Sequence, residues 1–235
     1  MMNCGYRDDR PPLALPPERE PERTSYELYA RLVAGTPLTG RDVLELGAGR
    51  GGGARYLHET HHPHRLVALD YAAGSIRWCR RHFSSPGLEF VCGDAATPPF
   101  PDASFDVIIA VEVTHCLAYK EGFLASAARV LRPGGRLLIA DFFYLRPDAM
   151  HALAKFETAL AGSAFTIVAG DDWTAGAIAA IETDSARRAQ AITDHVPRFL
   201  QKTALSFAST TASSTYLAMR EGRTVYRRYV LERRR

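Results

Sequence analysis

The sequence has almost no lysine: of its 29 basic side chains only three are lysine and the rest are arginine. That skew points to a GC-rich coding bias rather than to a phosphate-binding surface. No window approaches 18 consecutive apolar residues, which excludes a transmembrane helix. The first 21 residues are polar and proline-rich and carry no apolar h-region, so no secretory signal is expected. The four cysteines (Cys4, Cys79, Cys92, Cys116) lack both metal-ligand spacing and the density of a disulfide framework, which points to a reducing cytoplasm. Neither sign of charge dominates, and the net of +3 is local. Residues 220–235 hold seven Arg and two Glu, which leaves the rest of the chain slightly acidic. A nucleic-acid partner needs a basic working face, not a basic tail, and none is expected here.

What is present is a core. With 235 residues, 46% of them apolar, the chain suits one domain with an elaboration. Residues 1–23 read as an irregular arm. Tyr26, Tyr29, Leu32 and Val33 then fall at helical spacing, with Thr24 or Ser25 available as N-cap. Short apolar runs follow in alternation with helical stretches: strands over 43–46, 66–69, 88–92, 105–111 and 136–140, helices over 52–59, 75–82 and 122–131. This is the pattern of a doubly wound, mostly parallel α/β sheet. Residues 146–200 break the alternation and read as an inserted helical cap, with helices over 148–161, 174–180 and 184–200. Residues 215–220 and 224–231 read as a terminal hairpin turning at Glu221-Gly222-Arg223.

The strongest chemical signal is Glu45-Leu46-Gly47-Ala48-Gly49-Arg50-Gly51-Gly52, a strand running into glycines and then a helix. Such a turn lets the backbone approach a ligand closely. Asp70 closes the second strand 23 residues after Gly47, where a carboxylate can accept both hydroxyls of a ribose. Asp94 ends the third strand, placed to accept from an adenine amino group. Glu45 suits a cation near the turn better than a pyrophosphate. Three carboxylates around an adenosine pocket match a ligand with an ammonium and a sulfonium.

The ordered set Glu45-Leu46-Gly47-Ala48-Gly49, Leu69-Asp70, Gly93-Asp94-Ala95, Phe105-Asp106-Val107-Ile108 and Leu131-Arg132-Pro133-Gly134-Gly135 resembles class I S-adenosylmethionine-dependent methyltransferases. The resemblance implies a seven-stranded sheet with a reversed last strand and S-adenosyl-L-methionine as cofactor. It implies cofactor contacts from Glu45, Gly47, Ala48, Gly49, Asp70, Tyr71, Asp94, Ala95 and Glu112. Asn3-Cys4-Gly5-Tyr6, Glu112-Val113-Thr114-His115-Cys116 and Tyr216…Gly222…Tyr226 are further similar to bacterial natural-product methyltransferases of the phthiotriol, macrolide-sugar and rebeccamycin-sugar type, which mostly methylate hydroxyls. His115, just past the fourth strand, is then the expected general base. Asp141, at the end of the fifth strand, is its expected orienting partner. Ala48 replaces a frequent Cys, and Val113-Thr114 replaces a common Ser-Ser or Ser-Leu.

The expected organisation is one methyltransferase domain over 1–235: arm and first helix (1–40), cofactor core (41–145), helical substrate cap (146–200) and C-terminal strands (201–235). The expected partner is a small-molecule acceptor, with neither nucleic acid nor membrane. C- or N-methylation on the same scaffold, a nicotinamide-dependent oxidoreductase and a non-catalytic adenosine-binding module are the alternatives. No metal is expected: His58, His61, His62 and His64 read as a solvated loop. Cys79 and Cys92 read as small core residues. Tyr6 and the cap are expected to close over the site, with Tyr26 and Arg31 reaching toward the cofactor carboxylate. Asp171-Asp172-Trp173 reads either as a loop or as an edge of the acceptor pocket.

Overall fold

The apolar runs come together as one seven-stranded sheet in the computed structural model, which describes residues 3–83 and 85–235. Its strands are β1 (Asp42–Leu46), β2 (Arg65–Asp70), β3 (Leu88–Cys92), β4 (Phe105–Val111), β5 (Leu131–Tyr144), β6 (Phe165–Asp172) and β7 (Thr224–Arg233). They lie in the order β3-β2-β1-β4-β5-β7-β6. The pairs from β3 through β5 are parallel, and β7 runs antiparallel between β5 and β6. The reversed last strand expected from the resemblance is therefore present.

Helices cover both faces, so the central strands are apolar on both sides, as crossover connections require. Val43, Ala68, Val107 and Ile109 pack toward one core with α1 (Arg23–Val33), α2 (Gly52–His61), α3 (Ala73–His82) and α6 (Thr174–His195). Leu44, Leu46, Val67, Leu69 and Ile108 pack toward the other, with α4 (Lys120–Val130) and α5 (Leu153–Ala161). Successive side chains of one strand alternate between these cores, since the strand period is two. The chain leaves β1 toward β2 on one side and returns at β4 on the other, so a crevice opens at the carboxyl ends of β1 and β4.

Four local expectations change. Thr24 lies inside α1 rather than capping it, because its hydroxyl donates to Asp184 Oδ2 at 2.8 Å. Residues 165–172, expected within a helical cap, form strand β6, held by β7 alone. The two helices expected over 174–200 are redistributed into a continuous α6 and α7 (Arg198–Phe207), because Pro197 lacks the N–H that would continue α6. Finally, the terminal hairpin is absent. Residues 214–220 form α8 (Ser214–Arg220), started by Ser213 Oγ accepting from the Tyr216 N–H. Gly222, at φ +68°, turns the chain from this helix into β7.

Candidate active site

At the end of β1 the chain turns so tightly that Gly47 (φ +70°), Gly49 (φ +54°) and Gly51 (φ +71°) all adopt left-handed backbone. At Gly47 the need for glycine is double. A Cβ there would stand 1.8 Å from Val113 Cγ2, so any side chain collides. The turn is tied to β2: the N–H groups of Gly47 and Ala48 both donate to Leu69 O, at 2.8 and 3.0 Å. Gly49 N–H donates to Asp70 Oδ2 at 2.7 Å and Ala72 N–H to Oδ1 at 2.8 Å. Each Asp70 oxygen thus keeps a lone pair for a ligand. Asp94, past the end of β3, is held the same way by the Ala96 N–H at 2.8 Å.

Gly47, Gly49, Asp70 and Asp94 line one cavity of about 920 Å³ with Tyr71, Ala95, Glu112 and Val113, whereas Ala48 turns into the core; the far wall of the cavity comes from residues 116–126. Glu112 stands at its inner end with φ +53°, a left-handed conformation uncommon for a residue with a side chain. Its Oε1 accepts the Cys4 N–H at 2.8 Å and the Tyr226 hydroxyl at 3.0 Å. Burial pushes the Glu112 carboxyl up from its ordinary value.

Glu112 also borders a second cavity, of about 330 Å³, together with His115, Phe142 and Tyr226. Hydroxyls of Ser206, Ser209, Ser213, Ser214 and Thr215 rim it from the α7–α8 side. Glu112 thus lines both cavities, and His115 lines the smaller one. Its Nδ1 hydrogen-bonds Asp141 Oδ1 at 2.9 Å, and its main-chain N–H donates to Oδ2 at 3.1 Å. Thr114 Oγ1 (2.7 Å) and the Phe142 N–H (2.9 Å) complete four bonds to one carboxylate. Asp141 is fully buried; burial opposes its charge, but the His115 hydrogen bond and charge outweigh that and hold its pKa below the usual range. Burial likewise opposes a charge on His115, yet the Asp141 bond and charge, with Glu112, raise its pKa.

Two residues that sequence reasoning missed support this corner. Buried Lys120, at the start of α4, donates from Nζ to Thr114 O at 2.7 Å and to Leu117 O, which pins the turn carrying His115. Nothing in the local sequence distinguishes it from a solvated lysine. His151 is buried against Phe143 with ring centroids 4.4 Å apart, and its ring lies 6.3 Å from that of His115. Burial pushes its pKa down to about 4, so it is a neutral ring.

Other expected residues lie elsewhere. Glu45 does not line the cavity: strand alternation turns it toward α1, where Oε1 accepts the Tyr29 hydroxyl at 2.6 Å and burial raises its pKa to about 7. Tyr26 packs edge-on against Tyr56, and Arg31 is held by Pro11 O and Asp8. Tyr6 stacks on buried Trp173 at 4.2 Å, which threads the arm inward and brings Cys4 to Glu112. Asp171 and Asp172 end β6, pairing with Arg228 and Arg227 rather than edging a pocket. Cys79 is buried, but Cys92 is exposed, because it ends β3 at the rim. His58 and His61 lie on α2, and His64 Nδ1 pairs with Asp42 at 2.9 Å. Among the described residues no helix is long and apolar enough to cross a membrane.

Comparison with known proteins agrees with this geometry. A family model described as a methyltransferase domain matches residues 44–139. A phthiotriol/phenolphthiotriol dimycocerosates methyltransferase of Mycobacterium leprae is 36% identical over 97% of this chain and 83% of its own. A fatty-acid O-methyltransferase of Mycolicibacterium smegmatis is 42% identical over 68% of this chain and 57% of its own. Among solved structures, a putative sarcosine dimethylglycine methyltransferase from Galdieria sulphuraria superposes with a TM-score of 0.77 at 16% identity, covering 100% of this chain and 94% of that one.

Proposed function

The chain belongs to the class I S-adenosylmethionine-dependent methyltransferases, and on that premise we propose that it methylates a hydroxyl of a lipid-like natural product, with His115 as general base and Asp141 as its partner. The observation that carries this reading is the 2.9 Å contact between His115 Nδ1 and Asp141 Oδ1, with His115 lining the smaller cavity, which meets the larger one at Glu112. The fatty-acid O-methyltransferase among the relatives supports both the oxygen acceptor and its lipid character.

The larger cavity fits the cofactor. At Gly47 no Cβ is tolerated, so main chain alone forms that wall, and the carboxylates of Asp70 and Asp94 stand beside it. Asp70 would hold the ribose hydroxyls and Asp94 the adenine amino group. Gly47 and Gly49 would face the methionine end, with Ala48 holding the turn to β2 and Tyr71, Ala95 and Glu112 completing the wall. Glu45, with Tyr29, stands against Gly53 at the start of α2 and would position that helix rather than touch the cofactor. Bound S-adenosylmethionine supplies an electrophilic methyl group on a sulfonium.

The chain's own task is alignment and proton removal. Asp141 keeps the proton on His115 Nδ1, which leaves the Nε2 lone pair to take the proton of an acceptor hydroxyl. The imidazolium that forms is stabilised by the same carboxylate, and its raised pKa makes His115 a better base. Cys4 of the arm and Ile181 of α6 line the smaller cavity and would exclude water from it. Four free thiols support a reducing, cytoplasmic setting for this single domain of 235 residues.

The test is turnover of His115→Ala and His115→Asn with S-adenosylmethionine and a panel of hydroxy lipids and fatty acids, the methylated atom being located by mass spectrometry. The expected outcome is an O-methyl product and a loss of about 10²–10⁴-fold with a hydroxyl acceptor. Unchanged turnover with a hydroxyl acceptor, or methylation at carbon or nitrogen, overturns the reading. A carboxylate acceptor already lacks the proton, so with a fatty acid the loss is expected to be much smaller.

A further inference from the structure

Helix α7 packs along α6, where Gln201 Nε2 donates to Val196 O at 2.9 Å and to Thr193 O at 3.2 Å and Ala204 and Leu205 are half-buried. None of its residues with a described side chain is buried. Phe199 is 82% exposed and Leu200 45%. Phe199, Lys202, Thr203 and Ser206 follow one another at i, i+3, i+4 and i+7, so they form one stripe. The stripe ends at Ser206, on the rim of the smaller cavity. The helix carries no acid. Arg198 and Lys202 flank Phe199, both exposed and without an ion pair among the described residues. The nearest carboxylate along the chain, Asp194, accepts from Gln190 at 2.7 Å.

Volume adds a constraint. At roughly 30 Å³ per heavy-atom group, the share of one water in the liquid, a cavity of about 330 Å³ holds only about eleven such groups. An acceptor with a long hydrocarbon chain can place its reacting end there but not the chain itself. The chain must leave through the rim, where α7 begins its outward stripe. Leu217 on α8, one turn beyond the rim residue Ser214, is a further exposed apolar side chain.

We propose that α7 is an interfacial helix: Phe199 and Leu200 enter an anionic lipid surface while Arg198 and Lys202 contact its headgroups, which brings the rim of the acceptor cavity against the lipid. Exposed aromatic and aliphatic side chains with flanking cations and no acid are the composition that binds such surfaces. Contact of this kind is peripheral, and it revises the sequence-based expectation of no membrane partner. It rests on the lipid-like acceptor argued above.

The test is co-sedimentation of the full chain with vesicles of phosphatidylcholine alone and of phosphatidylcholine with added phosphatidylglycerol. Partition onto the anionic vesicles at least tenfold above the neutral ones is expected. The Phe199→Ser/Leu200→Ser double variant should lose that partition at least tenfold with S-adenosylhomocysteine affinity unchanged. Absence of binding by the unmodified chain, equal binding to both vesicles, or undiminished binding by the double variant overturns the proposal. So does a dimer in solution that the double variant makes monomeric, which would assign the face to a second copy. Methyl transfer to a soluble short-chain hydroxy acid, without vesicles, separates the two readings. Vesicle binding without transfer to any lipid acceptor leaves the surface standing and sinks the acceptor, and transfer without vesicle binding does the reverse.

Discussion

Asp141 holds His115 at two points, the ring through Nδ1 at 2.9 Å and the main chain through its N–H at 3.1 Å. One carboxylate therefore fixes the tautomer, the ring plane and the backbone that carries the ring. Asp141→Asn keeps the shape and removes the charge. Its kcat is expected to fall by about 10²–10³-fold. Because the Asp141 charge raises the His115 pKa, the acid limb of kcat/KM should move to lower pH even as the plateau drops. A limb that stays in place would mean that another group governs it.

Lys120 makes the opposite shift. Its ammonium lowers the His115 pKa while its two bonds pin the turn. Lys120→Met should move the acid limb to higher pH and reduce kcat about tenfold, while S-adenosylhomocysteine affinity stays within about twofold, since the change concerns one turn and leaves the cofactor wall intact. A pH-rate profile beside that of Asp141→Asn checks the pair: the two limbs should bracket that of the unmodified enzyme.

Gly47→Ala places a methyl where Val113 Cγ2 stands and forces a side chain into left-handed backbone. The backbone part costs about 1–2 kcal/mol and the collision adds to it. Thermal unfolding should show a clear drop in Tm. The double variant with Val113→Ala relieves the collision to a tight 3.1 Å contact with Val113 Cβ but leaves the strain, so recovery should be partial. Full recovery would show that φ at Gly47 matters less than contact.

Asp70→Ala removes the acceptor of two main-chain N–H groups and the proposed ribose anchor. Charge-assisted hydrogen bonds contribute about 1.5–3 kcal/mol each, so calorimetry should find S-adenosylhomocysteine bound at least tenfold more weakly. Asp94→Ala should weaken binding less, because Asp94 supports one N–H rather than two.

Glu45 carries a stability signature. Burial raises its folded pKa to about 7 from an ordinary 4.5, so between those values the folded protein binds more protons than the unfolded chain. Stability should therefore fall as pH rises through that window. Glu45→Gln keeps an acceptor for Tyr29 and has no proton to lose, so its Tm should vary less across the same range in unfolding scans.

The parallel half of the fold was legible because its signals are local. Runs such as Phe105–Val111 are apolar on both faces, and clustered glycines mark the left-handed turn after β1. Residues 165–172 were not, because only Phe165 is buried and the segment carries Gly170 and two aspartates, so neither period shows. Residues 214–220 alternate enough to suggest a strand, and a single hydrogen bond to Ser213 decides for helix. At the site, Asp70 ends β2, and Asp94 and His115 follow β3 and β4, positions that the sequence itself marks. Asp141 instead lies inside β5, which runs on to Tyr144 because β7 pairs with it as far as Thr224. Glu45 is turned away by the two-residue period of β1. Lys120 and His151 act through burial, which no local pattern discloses.

The position of β7 has a consequence for how the sheet comes apart. Among the described residues β6 pairs with no strand except β7, and β7 joins it to β5. The two strands should therefore behave as one cooperative unit, opening together when the 224–233 segment detaches and protecting their amides from hydrogen exchange to a common degree. The five parallel strands pair without them. Loss of this outer unit would take Tyr226 from Glu112 and so loosen the inner end of the larger cavity before its glycine turn is disturbed.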